Sequence, residues 1–197
     1  MKIEAYILVG GRSTRFGSDK CLAPMDGATL AERAYARMCD AFGKDNVRFV
    51  ARDAQSFAAE AKRLDAAVVY DAIEDRGPMG GLYTALTHAS TEWIFLFACD
   101  LTDVTWSYIS ALKRKISEKY GVVIPEQPDG KLQPLCAFYN VSRTLPIVRD
   151  LLNEDGKTPA MMSVIDRLEA RIAKDKEFVL YPPVTFTNAN HPSDIEQ

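Results

Sequence analysis

This chain has little of what most covalent and metal-centred catalysts are built from. It carries two histidines, His88 and His191, and four cysteines, Cys21, Cys39, Cys99 and Cys136, in 197 residues. The cysteines lie far apart with no C-x-x-C pair, which argues against a metal knuckle and a disulfide scaffold. Each is read as a small buried apolar residue, although Cys21 and Cys99 fall inside motif segments. His191, next to a proline, reads as structural and His88 as a helix-surface residue. With no convincing nucleophile, a covalent mechanism is disfavoured. An excess of positive charge is also missing. The formal net charge is −3, so no broad basic surface exists for nucleic acid or an anionic membrane. No apolar run approaches transmembrane length, and the first strand-like run starts too early to leave room for a signal peptide. The expectation is a soluble, cytoplasmic protein without nucleic-acid or membrane partners.

What is present supports a full core. With 47% hydrophobic residues, the chain is read as one domain over 1–197, its N-terminal half binding one substrate and its C-terminal half another. Strand-like apolar runs recur at 5–9, 47–51, 67–70, 94–98, 122–125, 135–139 and 184–186. Segments of helical character lie at 28–42, 54–64, 80–89, 106–119, 143–152 and 159–172. Such alternation predicts an α/β fold, a Rossmann-like three-layer α/β/α sandwich around a mostly parallel sheet. Prolines break up the second half (Pro125, Pro128, Pro134, Pro146, Pro159, Pro182, Pro183), so the sheet is expected to be partly mixed there.

The first apolar run drops into Gly10-Gly11-Arg12-Ser13-Thr14-Arg15-Phe16-Gly17-Ser18-Asp19-Lys20. Adjacent glycines let the backbone approach a ligand and turn its N–H groups toward an anion. Arg12, Arg15 and Lys20 add charge, and Ser13 and Thr14 add hydroxyls. The loop fits neither G-x-G-x-x-G nor a Walker A pattern, because Gly17 is followed by serine and Lys20 by cysteine. It reads as a polyphosphate loop of a third kind.

Ligands of open α/β sheets bind beyond the carboxyl ends of the strands, so the polar residues there are the candidates. Asp71 could accept hydrogen bonds from a ribose or base, or simply cap a turn. Gly77-Pro78-Met79-Gly80-Gly81 precedes a helix and frees N–H groups at its start. Asp100 ends the apolar run 94–99. A carboxylate leaving so apolar a strand needs a partner, and Mg2+ beside a triphosphate is the fitting one. Asp103 reads as the N-cap of the helix starting at Trp106, or as a second carboxylate near the metal. Asn188 and Asn190, two apart on extended backbone, could assist a metal or a phosphate, or belong to a turn that caps a final short helix with Ser193 or Asp194.

Together these segments resemble the molybdenum cofactor guanylyltransferase (MobA-type) family of nucleotidyltransferases. Leu8-Val9-Gly10-Gly11 through Asp19-Lys20 is similar to its L-A-G-G-x-S-x-R-M-G-x-D-K signature. Asp71 with Gly77–Leu82, Phe97-Ala98-Cys99-Asp100, Gln133–Tyr139 and Phe186–Pro192 resemble its later motifs in order, almost to the end of the chain. Val9, Phe16, Met79-Gly80 and His191 are departures, and Ala51-Arg52 stand where some members place an asparagine. The resemblance implies a nucleotidyltransferase fold, Mg2+ as cofactor, and transfer of GMP from GTP to the phosphate of a molybdopterin-type acceptor. It implies catalytic roles for Arg15 (leaving pyrophosphate), Lys20 (α-phosphate) and Asp100 (metal). Nucleotide contacts are implied for Leu8, Val9, Gly10, Gly11, Lys20, Asp71 and Gly80, with Ser13, Asn188 and Asn190 as helpers. Cofactor-biosynthesis proteins or a molybdoenzyme chaperone are the implied protein partners. Two alternatives stay open: cytidylyl, adenylyl or other nucleotidyl transfer to a different phosphorylated acceptor, and a catalytically weak nucleotide-binding chaperone.

Overall fold

The computed structural model describes residues 1–9, 20–22, 24–25, 27–154, 158–178, 181, 184 and 186, with backbone only for Lys20 and Met25. Nine strands form within them: β1 (Ile3–Val9), β2 (Pro24–Met25), β3 (Ala28–Thr29), β4 (Val47–Ala51), β5 (Ala67–Tyr70), β6 (Trp93–Ala98), β7 (Val122–Pro125), β8 (Cys136–Asn140) and β9 (Ala170–Ala173). Seven make one sheet in the order β5-β4-β1-β6-β8-β7-β9, while β2 and β3 pair as a small hairpin turned by Gly27 at φ 83°. β8 runs antiparallel to both its neighbours and every other pair in the sheet is parallel. The mixed, mostly parallel sheet anticipated from the proline-broken second half is what forms.

The helices are α1 (Leu30–Phe42), α2 (Ala54–Arg63), α3 (Gly77–His88), α4 (Trp106–Lys113), α5 (Val141–Asn153) and α6 (Met161–Ile165). Successive strand side chains point to opposite faces. From β1, Ile3, Ala5, Ile7 and Val9 therefore join one apolar cluster with residues of α1, α2 and α4, and Tyr6 joins another with α3, α5 and α6. β6 divides likewise, Trp93, Phe95 and Phe97 to the first face and Ile94 and Leu96 to the second. Three layers follow directly from period-two strands that are apolar on both sides.

Side-chain caps fix where most helices begin. Thr29, Asp53 and Asn140 accept from the backbone N–H of Glu32, Ser56 and Arg143, so α1, α2 and α5 start with one end satisfied. For α4 the cap is Thr105, which accepts from Tyr108 N at 3.3 Å. Asp103 is therefore not the N-cap expected from the sequence, because Thr105 stands one residue before the helix and fills that position.

Two other expectations are corrected. The helix expected over 159–172 is only the short α6, after which the chain turns and runs as β9 alongside β7. Gly121 makes room for this: Leu168 packs where a Cβ would stand, 2.6 Å from its Cδ2, and Gly121 N donates to Glu169 O at 2.9 Å. Pairing with the exposed edge of β7 outweighs a helical preference that only a few residues express. The run 184–186 is not a strand at its described residues. Val184 and Phe186 are buried, but Phe186 sits at φ 53° and sets its ring against Tyr108.

Candidate active site

Register brings the site to one edge of the sheet. Leu8 pairs with Ala98, Val9 with Ala51, and Ala51 with Tyr70, so β1, β4, β5 and β6 end level with one another. The residues that follow β5 and β6, Asp71 and Asp100, come to the edge that also receives the chain leaving β1. The reversed β8 contributes its start to the same edge: Phe97 pairs with Cys136, and Ala98 N donates to Leu135 O at 2.9 Å. The segment 133–135 thus borders the site from the second half of the chain.

Asp71 is held between two elements. Its N–H donates to Ala51 O at 2.9 Å, and the Thr84 hydroxyl of α3 donates to its Oδ1 at 3.4 Å. The same hydroxyl accepts from Ala72 N at 3.0 Å, and Thr84 is wholly buried. Burial pushes the Asp71 carboxyl above the usual carboxylate range, with the Thr84 hydrogen bond opposing. A half-buried carboxylate lightly compensated by protein is suited to accept donors from a ligand.

Helix α3 starts at Gly77, not at Gly80, with Pro78 in its first turn. Gly80 N therefore bonds to Arg76 O at 3.2 Å, inside the helix. The unpaired donors of a helix belong to its first turn, so this N–H is taken up within the fold. Gly80 contributes closeness instead, since a Cβ there would stand 3.1 Å from Ile73 O and from Arg76 Cβ. Gly81 is tighter, with Leu8 Cδ2 occupying space 2.7 Å from a would-be Cβ. Leu8 thus seats α3 on β1. Val9 points into the core at 2% exposure, so only its backbone is open to a ligand.

Asp100 lies in the turn beyond β6, half-buried. Cys99 N donates to Leu8 O at 3.4 Å and Leu101 N to Ala98 O at 3.2 Å, fixing the residues on either side. Arg37 of α1 reaches the same turn and donates from Nη1 to Leu101 O at 2.9 Å and from Nη2 to Thr102 O at 2.8 Å. Cys99 is joined to Cys21 in a disulfide with Cα atoms 6.3 Å apart. This corrects the reading of both as separate apolar residues. They are 78 positions apart in the chain, so no local pattern announces the pair. Cys39 and Cys136 are free.

The donor set fits magnesium better than a softer metal. Among the described residues no group of three or more His, Cys, Asp or Glu could hold a metal ion. Mg2+ does not need one, being held by one or two carboxylates with phosphate oxygens and water, and Asp100 is a half-buried carboxylate just beyond the end of β6. Gly10, Gly11, Ser13, Arg15, Asn188 and Asn190, and the Lys20 side chain, lie outside the described residues. Thr84 and Arg37 escaped the sequence reading, because each acts on a partner far along the chain. The one available signal was an arginine amid the buried face of α1.

Residues 5–172 match the MobA-like NTP transferase domain. A probable molybdenum cofactor guanylyltransferase of Bacillus licheniformis is 32% identical over 200 residues, covering 100% of this chain and 96% of its own. Another from Natranaerobius thermophilus is 30% identical, covering 99% of this chain and 94% of its own. Among solved structures, molybdopterin-guanine dinucleotide biosynthesis protein A of Archaeoglobus fulgidus superposes with a TM-score of 0.78 at 22% identity, covering 98% of this chain and 95% of its own. A neighbour by fold alone, 4-diphosphocytidyl-2C-methyl-D-erythritol synthase of Anaerococcus prevotii, gives 0.70 at 11% identity over 99% of this chain and 93% of its own. With one domain pattern running from β1 to β9 and relatives matched end to end, this chain belongs to the MobA-like NTP transferase family.

Proposed function

We propose that this protein transfers the GMP moiety of GTP to the phosphate of a molybdopterin-type acceptor, releasing pyrophosphate and forming a guanine dinucleotide cofactor. The observation that carries the reading is the levelling of β1, β4, β5 and β6, which sets Asp71 and Asp100 on the edge where the glycine-rich segment leaves β1. The full-length relatives bearing the guanylyltransferase name supply the base and the acceptor.

Nucleotidyl transfer is largely a matter of position and charge neutralisation. In this reading Asp100 holds Mg2+, with Asn188 and Asn190 assisting. When bound, the ion supplies neutralisation of charge on the triphosphate. Lys20 stabilises the charge developing around the α-phosphate, and Arg15 grips the departing pyrophosphate. Gly10, Gly11 and the backbones of Val9 and Gly80 approach the nucleotide, and Ser13 adds a hydroxyl donor. Asp71, oriented by Thr84, accepts from the ribose or the base. An acceptor phosphate is already an anion at neutral pH, so no general base is required. The second half of the chain, entering through 133–135, holds the acceptor.

The test is titration with GTP, CTP and ATP, each with magnesium, followed by turnover with molybdopterin. The expected result is a magnesium-dependent preference for GTP. Asp100→Ala is expected to lower turnover at least 100-fold, a typical size for losing one electrostatic contact to the transferred group. Preference for CTP or ATP would replace the product, and retention of turnover by Asp100→Ala would remove the assignment of Asp100.

A further inference from the structure

The β6–α4 turn is braced by a side chain that none of the nucleotide motifs contains. Arg37 belongs to α1, on the layer that packs with α4, and its guanidinium is half-buried. The two carbonyls that it binds, Leu101 O and Thr102 O, follow Asp100 directly, after β6 has ended at Ala98. Two donors of one rigid planar group take two consecutive carbonyls, so both peptide units are fixed relative to α1. A flexible ammonium would bind the same oxygens without setting their mutual angle. On the other side of Asp100, Cys99 N is bonded to Leu8 O. The aspartate is thus the one residue between a backbone tied to β1 and a backbone tied to α1.

We propose that Arg37 is a positioning residue for nucleotidyl transfer, holding the turn so that the Asp100 carboxylate is aimed before ligand arrives. This rests on the reading of Asp100 as the residue that serves magnesium and nucleotide. Preorganisation of this kind matters most where a single protein carboxylate would hold the cation, because a small displacement of that carboxylate weakens every contact it makes.

A double-mutant cycle on the full chain tests it, with magnesium-dependent GTP affinity measured by calorimetry. Arg37→Met is expected to weaken that affinity on the order of tenfold, an ordinary size for coupled neighbours. Arg37→Lys recovers part of the loss. In the Asp100→Ala background Arg37→Met is expected to change nothing further, because the group through which it acts has gone. An equal loss in both backgrounds would overturn the proposal and leave Arg37 as a structural brace, as would normal affinity in Arg37→Met. Should Arg37→Met fold poorly, the cycle is run with Arg37→Lys, judged by the same criterion. If Asp100→Ala alone keeps magnesium-dependent binding, the assignment of Asp100 fails first, and the proposal about Arg37 is overturned with it.

Discussion

At the scale of the residue, Asp71 is a carboxylate kept half-buried at a cost to stability. Burial raises its pKa, so the protonated form is the one the fold prefers. The stability contributed by that form is complete below the usual carboxylate range and is lost as pH rises through the elevated value. Asp71→Asn should therefore raise Tm at neutral pH, with the gain over wild type vanishing in acid. The same substitution should weaken GTP binding about tenfold, the scale of a lost hydrogen bond to a charged acceptor. Thermal melts across pH, with titration at neutral pH, check both; a Tm lowered at pH 7 would contradict the reading. The placement of Asp71 and Asp100 at the carboxyl edge of the sheet was legible in the sequence because each directly follows an apolar run. Thr84 and Arg37 were not, because a residue 13 or 64 positions from its partner leaves no local pattern.

At the scale of the element, the tight seat of α3 on β1 is the feature with a measurable consequence. Leu8 lies over Gly81 with no room for a Cβ. Gly81→Ala gains helix propensity of about 1 kcal/mol, yet it must push Leu8 aside, an overpacking cost of about 1–3 kcal/mol. The substitution should destabilise the wild-type chain and become stabilising in a Leu8→Ala background, as read by urea denaturation of the four proteins. The same cost in both backgrounds would show that Leu8 is not the obstacle. Elements with strong periodicity were readable to within a few residues: β4, β5 and β7 fall where the apolar runs predicted them. β9 was not, since its four residues, Ala170-Arg171-Ile172-Ala173, acquire strand character from the edge of β7 they pair with. The start of α3 was placed three residues late because Gly77 and Pro78 read as a turn, although proline suits a first helical turn.

At the scale of the whole molecule, alternation of runs identified the layers, but not the strand order. Reversal of β8 has no signature in its own residues, Cys136-Ala137-Phe138-Tyr139-Asn140, which are buried on both faces like those of a parallel strand. It follows from where the chain must re-enter after β7. The inversion returns the second half of the chain to the carboxyl edge of the first, beside Leu135 and Ala98.

The bond between Cys21 and Cys99 also acts where no fold exists, in the denatured chain. A link spanning 78 positions closes a large ring in the random coil and removes conformations that an open chain would explore. Loop-closure entropy puts the resulting gain for the native state at about 4.5 kcal/mol, a large share of the margin by which a domain this size stays folded. Thiol-rich surroundings would cancel that gain without altering any native contact except the bond itself. Urea denaturation with and without dithiothreitol should give a lower midpoint in the reduced sample. Equal midpoints would mean that the native and the unfolded chain are both open.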